Sequence, residues 1–570
     1  MREASGDHGR ECHTLAREAG PGPFARLAAS LAHGLRAWGY RRRSYQWRLA
    51  GRHPLKLLGS PDDPWPGDAA VAERLLAGRV VVDAETHDLA DATFWQQAVR
   101  RTALHRPALG FAWLRDLALA SDAEQARAVA EFLVRGWIES FSRFHPVAWA
   151  PTLAGRRLRN WLFHAPLILS SSDLVYRSSV LNSMAHQARH LARTLGDAAR
   201  GVERIEAAAG LLFAGLLLPH GEGWRSRGEA ALQAALERFL LPDGGVLSRA
   251  LEDALTVMDS LISLRLAYRD QQAEMPTWLQ HGLDRMGPFL RALLHGDGSL
   301  AHLYGAGAEM RDRLNAALAL SDAAGRPLAN ARYTGLMRLK ARRSLVLFDA
   351  MPPPPPVDSA GAHAGTLAFE FSDGEARMVV NIGHGTGPLA QLSRTTAAHS
   401  TLVLADTNSS ELRDDGALGH GVREIRLERE EAPEAFRVTA SHDGYERRFR
   451  LLHQRTLTLA RNGARLEGAD RLLPGRRPPR RGTAFDIRFH LHPDVVASPT
   501  GGGDGVLLKL ANRHGWLFEA DGGAVRLEES LFLDSAGPRR SRQIVVHGTA
   551  SPRGADIRWH FERLGTGAKT

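Results

Sequence analysis

A helical half followed by an antiparallel β half is the fold class that this sequence predicts, on three observations. Apolar residues recur with a helical period up to about residue 340 and with a period of two beyond it. Asn462-Gly463 lies between Leu457, Leu459 and Leu466, the strongest short-range hairpin signal a sequence offers. A chain of 570 residues is also too long for one hydrophobic core. The expected division is an N-terminal extension over 1–60, an all-α domain over 61–340 and an antiparallel β-sandwich over 341–570.

Within the extension, Phe24 to Trp38 reads as an amphipathic helix, with Phe24, Leu27, Leu31, Leu35 and Trp38 on one face and Arg41-Arg42-Arg43 after it. Such a helix packs on the protein or touches an anionic surface. The helical half then carries stripes at Ala123–Trp137, Leu153–Leu169, Ser179–Leu195, Ile205–Leu218, Gly228–Leu240 and Thr277–Leu294. Leu251, Ala254, Leu255, Met258 and Ile262 form another at i, i+3, i+4, i+7 and i+11. Breaks such as Leu241-Pro242-Asp243-Gly244-Gly245 separate them, so antiparallel neighbours in a bundle or a ring of hairpins follow. Past the change of period, alternating runs occupy Ser344–Asp349, Val422–Glu428, Phe436–Ser441, Ile487–His492 and Arg542–Gly548. Short strands without intervening helices argue a sandwich. The polyproline run Pro352 to Pro356 lies a strand beyond the change and reads as a loop inside the second domain.

The formal charge of +10 suits an acidic partner: a polyanionic sugar, nucleic acid or an anionic surface. The excess is nearly all arginine, since Lys56, Lys340, Lys509 and Lys569 are the only lysines. No zinc-finger spacing, RNP motif or concentrated basic block points to a specific nucleic-acid partner. Cys12 is the single cysteine, so disulfides do not hold this fold. No apolar run reaches membrane-spanning length, and Met1 to Pro23 lacks the order of an export signal.

Three residues stand on or beside strand-like runs: His363 in Ala362–Phe371, Asn381 in Met378–Gly383 and His399 in Ala398–Leu404. Two imidazoles and an amide oxygen on neighbouring strands can close around one divalent cation, zinc being the natural choice. Taken alone, the same residues read equally as a loop histidine and a satisfied strand histidine.

Their order and spacing resemble the heparinase II/III family of polysaccharide lyases. There a histidine heads an H-x-D-x-L-S-F-E strand, an aspartate follows on the next, and an H-[NS]-T comes after. His363 fills the first place, His399-Ser400-Thr401 the third, and Asn381 stands where the aspartate is expected. Arg157-Leu158-Arg159-Asn160-Trp161 matches the family's R-x-x-N-W element, and His453-Gln454-Arg455 its H-x-R strand. The resemblance implies an α/α toroid of helical hairpins, then a layered β-sandwich, with a glycan cleft between them. Arg157 and Asn160 would grip a uronate carboxylate, with Trp161, His453 and Arg455 binding substrate and His363, Asn381 and His399 holding the metal.

The family's proton-transfer groups are replaced. Its G-N-H-x-x-E is here Gly201-Val202-Glu203-Arg204-Ile205-Glu206, its tyrosine after D-G-G is missing before Tyr268, and its first G-H-G-H histidine is Gly361. β-Elimination needs a base for the C5 proton and an acid for the departing O4. Glu203, Glu206, His145, His164 and Tyr304 are the candidates, Glu206 foremost. His490 and His492 have a metal-pair spacing near a strand end, where the role is more often structural. The resemblance thus implies a lyase acting on an acidic, uronate-containing glycan in the cell envelope or periplasm. The alternatives are a repurposed glycan-binding protein on the same scaffold and, without an export signal, the cytoplasm.

Overall fold

The computed structural model describes residues 11–16, 34, 36, 38–82, 85–307, 310–479, 481–535 and 537–565. Most of the expected Phe24–Trp38 helix lies outside the described residues. The fold class is the predicted one: mainly helices to Leu320, interrupted by strands Glu11–Ala16, Arg79–Val82 and Glu85–Asp88, then antiparallel strands from Asn330 onward.

The helical domain is an α/α toroid whose core is made by the apolar stripes. Helix Val202–Leu217 is buried on nearly every side, as its run of Ala, Leu and Phe requires, and it packs against Pro151–Phe163, Glu222–Phe239 and Leu251–Asp270. Aspartates begin helices Ala123–Phe141 and Leu174–Thr194, Asp122 and Asp173 each accepting from two backbone N–H groups. Of the expected extension, helix Arg43–Leu49 sinks Tyr45 and Leu49 into this core, and strand Glu11–Ala16 pairs with Glu424–Glu431 in the β half. Residues 1–60 therefore do not form a unit of their own where they are described.

Among the described residues the β half is built on two nine-stranded sheets, one of them completed by Glu11–Ala16. One runs from Glu11–Ala16 through the hairpin Leu451–Ala460/Arg465–Pro474 to Val496–Pro499. The other joins Leu336–Ala341, Ser344–Asp349, Phe369–Asp373, Ala376–Val380, Thr483–Leu491 and Gly537–Ala550. Phe369, Phe489 and Trp559 meet between them, with ring centres of Phe489 and Trp559 4.8 Å apart. Gly463 makes the predicted turn at φ +67°, and its N–H donates to the Ala460 carbonyl.

The second sheet packs directly on the toroid, where Leu336, Leu345, Leu347 and Ala368 join the helical core. Glu370 locks this junction from full burial. Its Oε2 meets His295 Nε2 at 2.8 Å, and its Oε1 accepts from His302 N at 2.9 Å and from the Asn381 N and Nδ2. Burial works against the charge, yet His295, His302 and the Asn381 N–H hold the Glu370 carboxyl down to about 2. Among the described residues no helix is long and apolar enough to cross a membrane.

Candidate functional site

Helices Pro151–Phe163 and Val202–Leu217 cross at Gly155 and Gly210, where a Cβ added to Gly210 would lie 2.2 Å from the Gly155 Cα. The crossing floors a cleft of about 310 Å³ whose walls include Arg106, Arg156, Arg159, Asn160, Glu206 and Arg313. Glu252 and Asp259 from helix Leu251–Asp270 close the far side.

A helix turns by roughly 100° per residue, so residues four apart share a face. Arg156 and Asn160 share the cleft face; Arg157 and Trp161 share the opposite, buried one. The expected grouping of Arg157 with Asn160 is corrected by this register. Arg157 is wholly buried, donating to Gln187 Oε1 at 2.7 Å, the Leu109 carbonyl at 2.9 Å and the Ala148 carbonyl at 3.0 Å. Its guanidinium also stacks on Trp137, and burial without a carboxylate pushes its pKa well below the ordinary value. Trp161 packs edge-on against Phe111 and Trp137, so it offers no face to a sugar. Asn160 does border the cleft, with its Nδ2 donating to the Gly110 carbonyl at 2.7 Å.

The cleft is lined by charge pairs. Arg159 grips Asp259 with two bonds of 2.6 and 2.9 Å, Arg156 meets Glu206 at 2.6 Å and Arg313 meets Glu252 at 2.8 Å. Arg115 is held by Asp63 at 2.7 Å. Arg106 is exposed at the rim, and its guanidinium makes no hydrogen bond or ion pair with a described residue. Sequence reasoning missed Arg106, Arg156, Arg159, Glu252, Asp259 and Arg313, although Arg156 directly precedes the very motif it singled out and Arg159 lies within it.

The five acid–base candidates are scattered. Glu206 reaches the cleft; burial raises its pKa, opposed by Arg156 and Arg106. Glu203 is exposed beside Thr152, and the His145 Nδ1 accepts from the Val147 and Ala148 N–H groups. His164 is buried between the Asn160 carbonyl and Asp63. Tyr304 faces the sandwich, its hydroxyl 3.4 Å from Asp349, whose carboxyl burial pushes up to about 7.

In the β half, His453 and Arg455 point inward rather than into a cleft, because their strand Leu451–Ala460 lies in the sheet facing the other layer. Both are fully buried on Asp470, with Arg455 paired by two bonds of 2.8 and 3.0 Å and His453 by one of 2.7 Å. The substrate-binding expectation for them is corrected accordingly. His490 is likewise satisfied, by Ser530 and the Ala397 carbonyl, and His492 by Arg377.

His363 and His399 do come together, with Nδ1 and Nε2 3.2 Å apart, both set in loops beside the strands. That spacing suits two ligands of one zinc, but the third is missing. The Asn381 oxygen accepts from Ser400 N at 2.8 Å and its amide donates to Glu370, so it is committed away from the pair. Among the described residues no three His, Cys, Asp or Glu gather as a metal site. The donor set present does not fit the family's metal.

Residues 323–560 match the family model described as heparinase II/III-like, C-terminal. Among solved structures, the chain superposes on heparinase III with a TM-score of 0.67 at 14% identity, covering 91% of this chain and 88% of that one. A mutant of the heparan sulfate lyase HepC from Pedobacter heparinus gives 0.63 at 16%, covering 90% and 87%. Among curated proteins, FtsZ-localized protein C of Caulobacter vibrioides is 29% identical over 554 residues, 91% of this chain and 93% of that protein. Residues 323–560 thus form a heparinase II/III-like C-terminal domain, and the chain as a whole has the fold of heparinase III.

Proposed function

We propose that this protein is a repurposed member of the lyase fold that binds an anionic ligand in its helical cleft without cleaving it, and that it works where FtsZ assembles. The observation that carries the reading is the state of the cleft. Glu206, Glu252 and Asp259 are each bound to an arginine, while the Arg106 guanidinium stands at the rim without an ion pair among the described residues. A base must be free to take a carbon-bound proton, and Glu206 is tied at 2.6 Å to Arg156. A rim guanidinium outside those ion pairs, beside the amide and hydroxyl groups of Asn160, Thr256 and Ser260, suits a carboxylate or sulfate instead.

The cellular setting draws on the relative that aligns along nearly the whole chain and is named for localisation by FtsZ. The glycan class draws on the heparan sulfate lyases that share the fold. Two measurements test the reading. Incubation with heparan, chondroitin, hyaluronan and alginate should give no ultraviolet absorbance of an unsaturated uronate, while an acidic oligosaccharide binds. In cells, a fluorescent fusion should follow FtsZ, and the purified protein should co-sediment with FtsZ polymers. Turnover of any uronate polymer overturns the non-catalytic part; a fusion indifferent to FtsZ depletion overturns the setting.

A further inference from the structure

On the toroid, a second cavity of about 380 Å³ shares no residue with the cleft. Its lining includes Arg48, Arg52, Arg189, Arg193, His220 and Trp224, and among the described residues no carboxylate. None of these four guanidinia is ion-paired among the described residues. Arg189 is spent on the chain itself, donating to the Leu49 and Arg52 carbonyls and so fixing the turn at Gly51, where an added Cβ would collide with it. Arg193 gives one bond to the Arg189 carbonyl. Arg48 and Arg52 are exposed and make no side-chain hydrogen bond with a described residue.

Four like charges around one cavity repel, and a fold carries such a cluster at a cost unless an anion offsets it. The surroundings are built, not random. His220 holds a left-handed backbone at φ +60°, uncommon for a residue with a side chain, and brings its imidazole to the cavity. Helix Glu222–Phe239 starts at Gly221 with no side-chain cap, and its first turn, Gly223 and Trp224, forms part of the wall. Pro54, Leu218 and the half-buried Trp224 supply an apolar side.

We propose that this cavity is an anion site separate from the cleft, taking a phosphoryl group carried on a molecule whose apolar or planar part rests on Trp224. The guanidinium forks match phosphate oxygens in pairs, and phosphate carries the double charge that the cluster calls for. A phosphorylated metabolite and a lipid headgroup offer the same chemistry.

The test uses the full chain and the Arg48→Gln/Arg52→Gln variant, whose changes fall on exposed side chains that bond no described residue. Pyrophosphate should raise the melting temperature of the parent and bind about ten-fold more weakly to the variant. Without ligand, the variant should melt no lower than the parent, because it loses repulsion only; a merely structural role would lower it. Phosphatidylcholine vesicles with and without phosphatidic acid distinguish the sources: arginine-dependent binding to the phosphatidic acid vesicles alone assigns the phosphoryl group to lipid. If neither probe binds, or both bind parent and variant equally, the proposal is overturned.

Discussion

Arg455 and Asp470 form a two-pronged ion pair sealed between the sheets, and each is fully buried. The second carboxylate oxygen also accepts from Trp559 Nε1 at 2.8 Å, and Arg455 Nη1 reaches the Leu367 and Ser400 carbonyls at 2.8 Å. The pair thus ties the hairpin strand to the opposite layer. Breaking one partner leaves the other charge stranded, so Asp470→Asn should cost about 3–5 kcal/mol in urea unfolding. Burial opposes ionisation of Asp470, but Arg455 and His453 hold its carboxyl far below the usual range. A depressed folded-state pKa stabilises above the unfolded value of about 3.9 and loses that contribution as pH falls below it. Asp470→Asn should lack this acid-dependent loss.

Arg157→Ala should behave as a core lesion. It strips hydrogen bonds from Gln187, Leu109 and Ala148 and empties the space over Trp137. A loss of about 3 kcal/mol or more is expected, with ligand affinity of the folded fraction unchanged. Arg157→Lys should recover little, since an ammonium cannot reproduce the planar fork. A large affinity loss with normal stability would return Arg157 to the binding site.

Asn381→Asp tests the metal expectation at the domain junction. An aspartate there would set a carboxylate oxygen against Glu370 Oε1, now 3.0 Å from the amide nitrogen. Two like charges in a buried site force one to keep its proton, so the new aspartate should have a raised pKa. The variant should be less stable at neutral pH and regain stability as pH falls through that value, since the folded state then binds the extra proton. Elemental analysis should find no stoichiometric zinc in parent or variant. One zinc per chain in Asn381→Asp would show that the amide alone had abolished a competent site.

Arg106→Ala should weaken binding of an acidic oligosaccharide about ten-fold, the value of one charge-assisted contact, with unfolding unchanged. Equal affinities in a titration at low salt would remove Arg106 from the site.

Asp349 predicts a pH effect of the opposite sign. With its folded carboxyl raised to about 7 by burial, the folded state holds a proton that the unfolded chain releases near 3.9. Stability should therefore decline as pH rises between those values and level off above them. Asp349→Asn should flatten that decline in thermal melts followed across the range.

The helices, the strands and the Asn462-Gly463 hairpin were legible because each announces itself locally, by period or by turn chemistry. The strand Ser344–Asp349 has the expected ends. The site was less legible because helix faces differ by one residue: the motif Arg157 to Trp161 was read on the face of Arg157, whereas the cleft is served by Arg156 and Asn160. Nor could alternation tell an inner sheet face from a cleft wall, which decides the fate of His453 and Arg455. The carboxylates opposite, Glu252 and Asp259, come from a helix nearly a hundred residues later and carry no motif.

The meeting of Gly155 and Gly210 acts as a gauge block for the cleft. With backbone against backbone, the width between the two walls is set by main-chain thickness and not by any side chain that could be exchanged. A methyl group on either glycine would wedge the helices apart and carry Arg156 and Glu206 with them. Variation in what this pocket accepts therefore has one direction open to it, the opposite wall of Glu252, Asp259 and Arg313, and attempts to refit the pocket to a larger ligand should begin there.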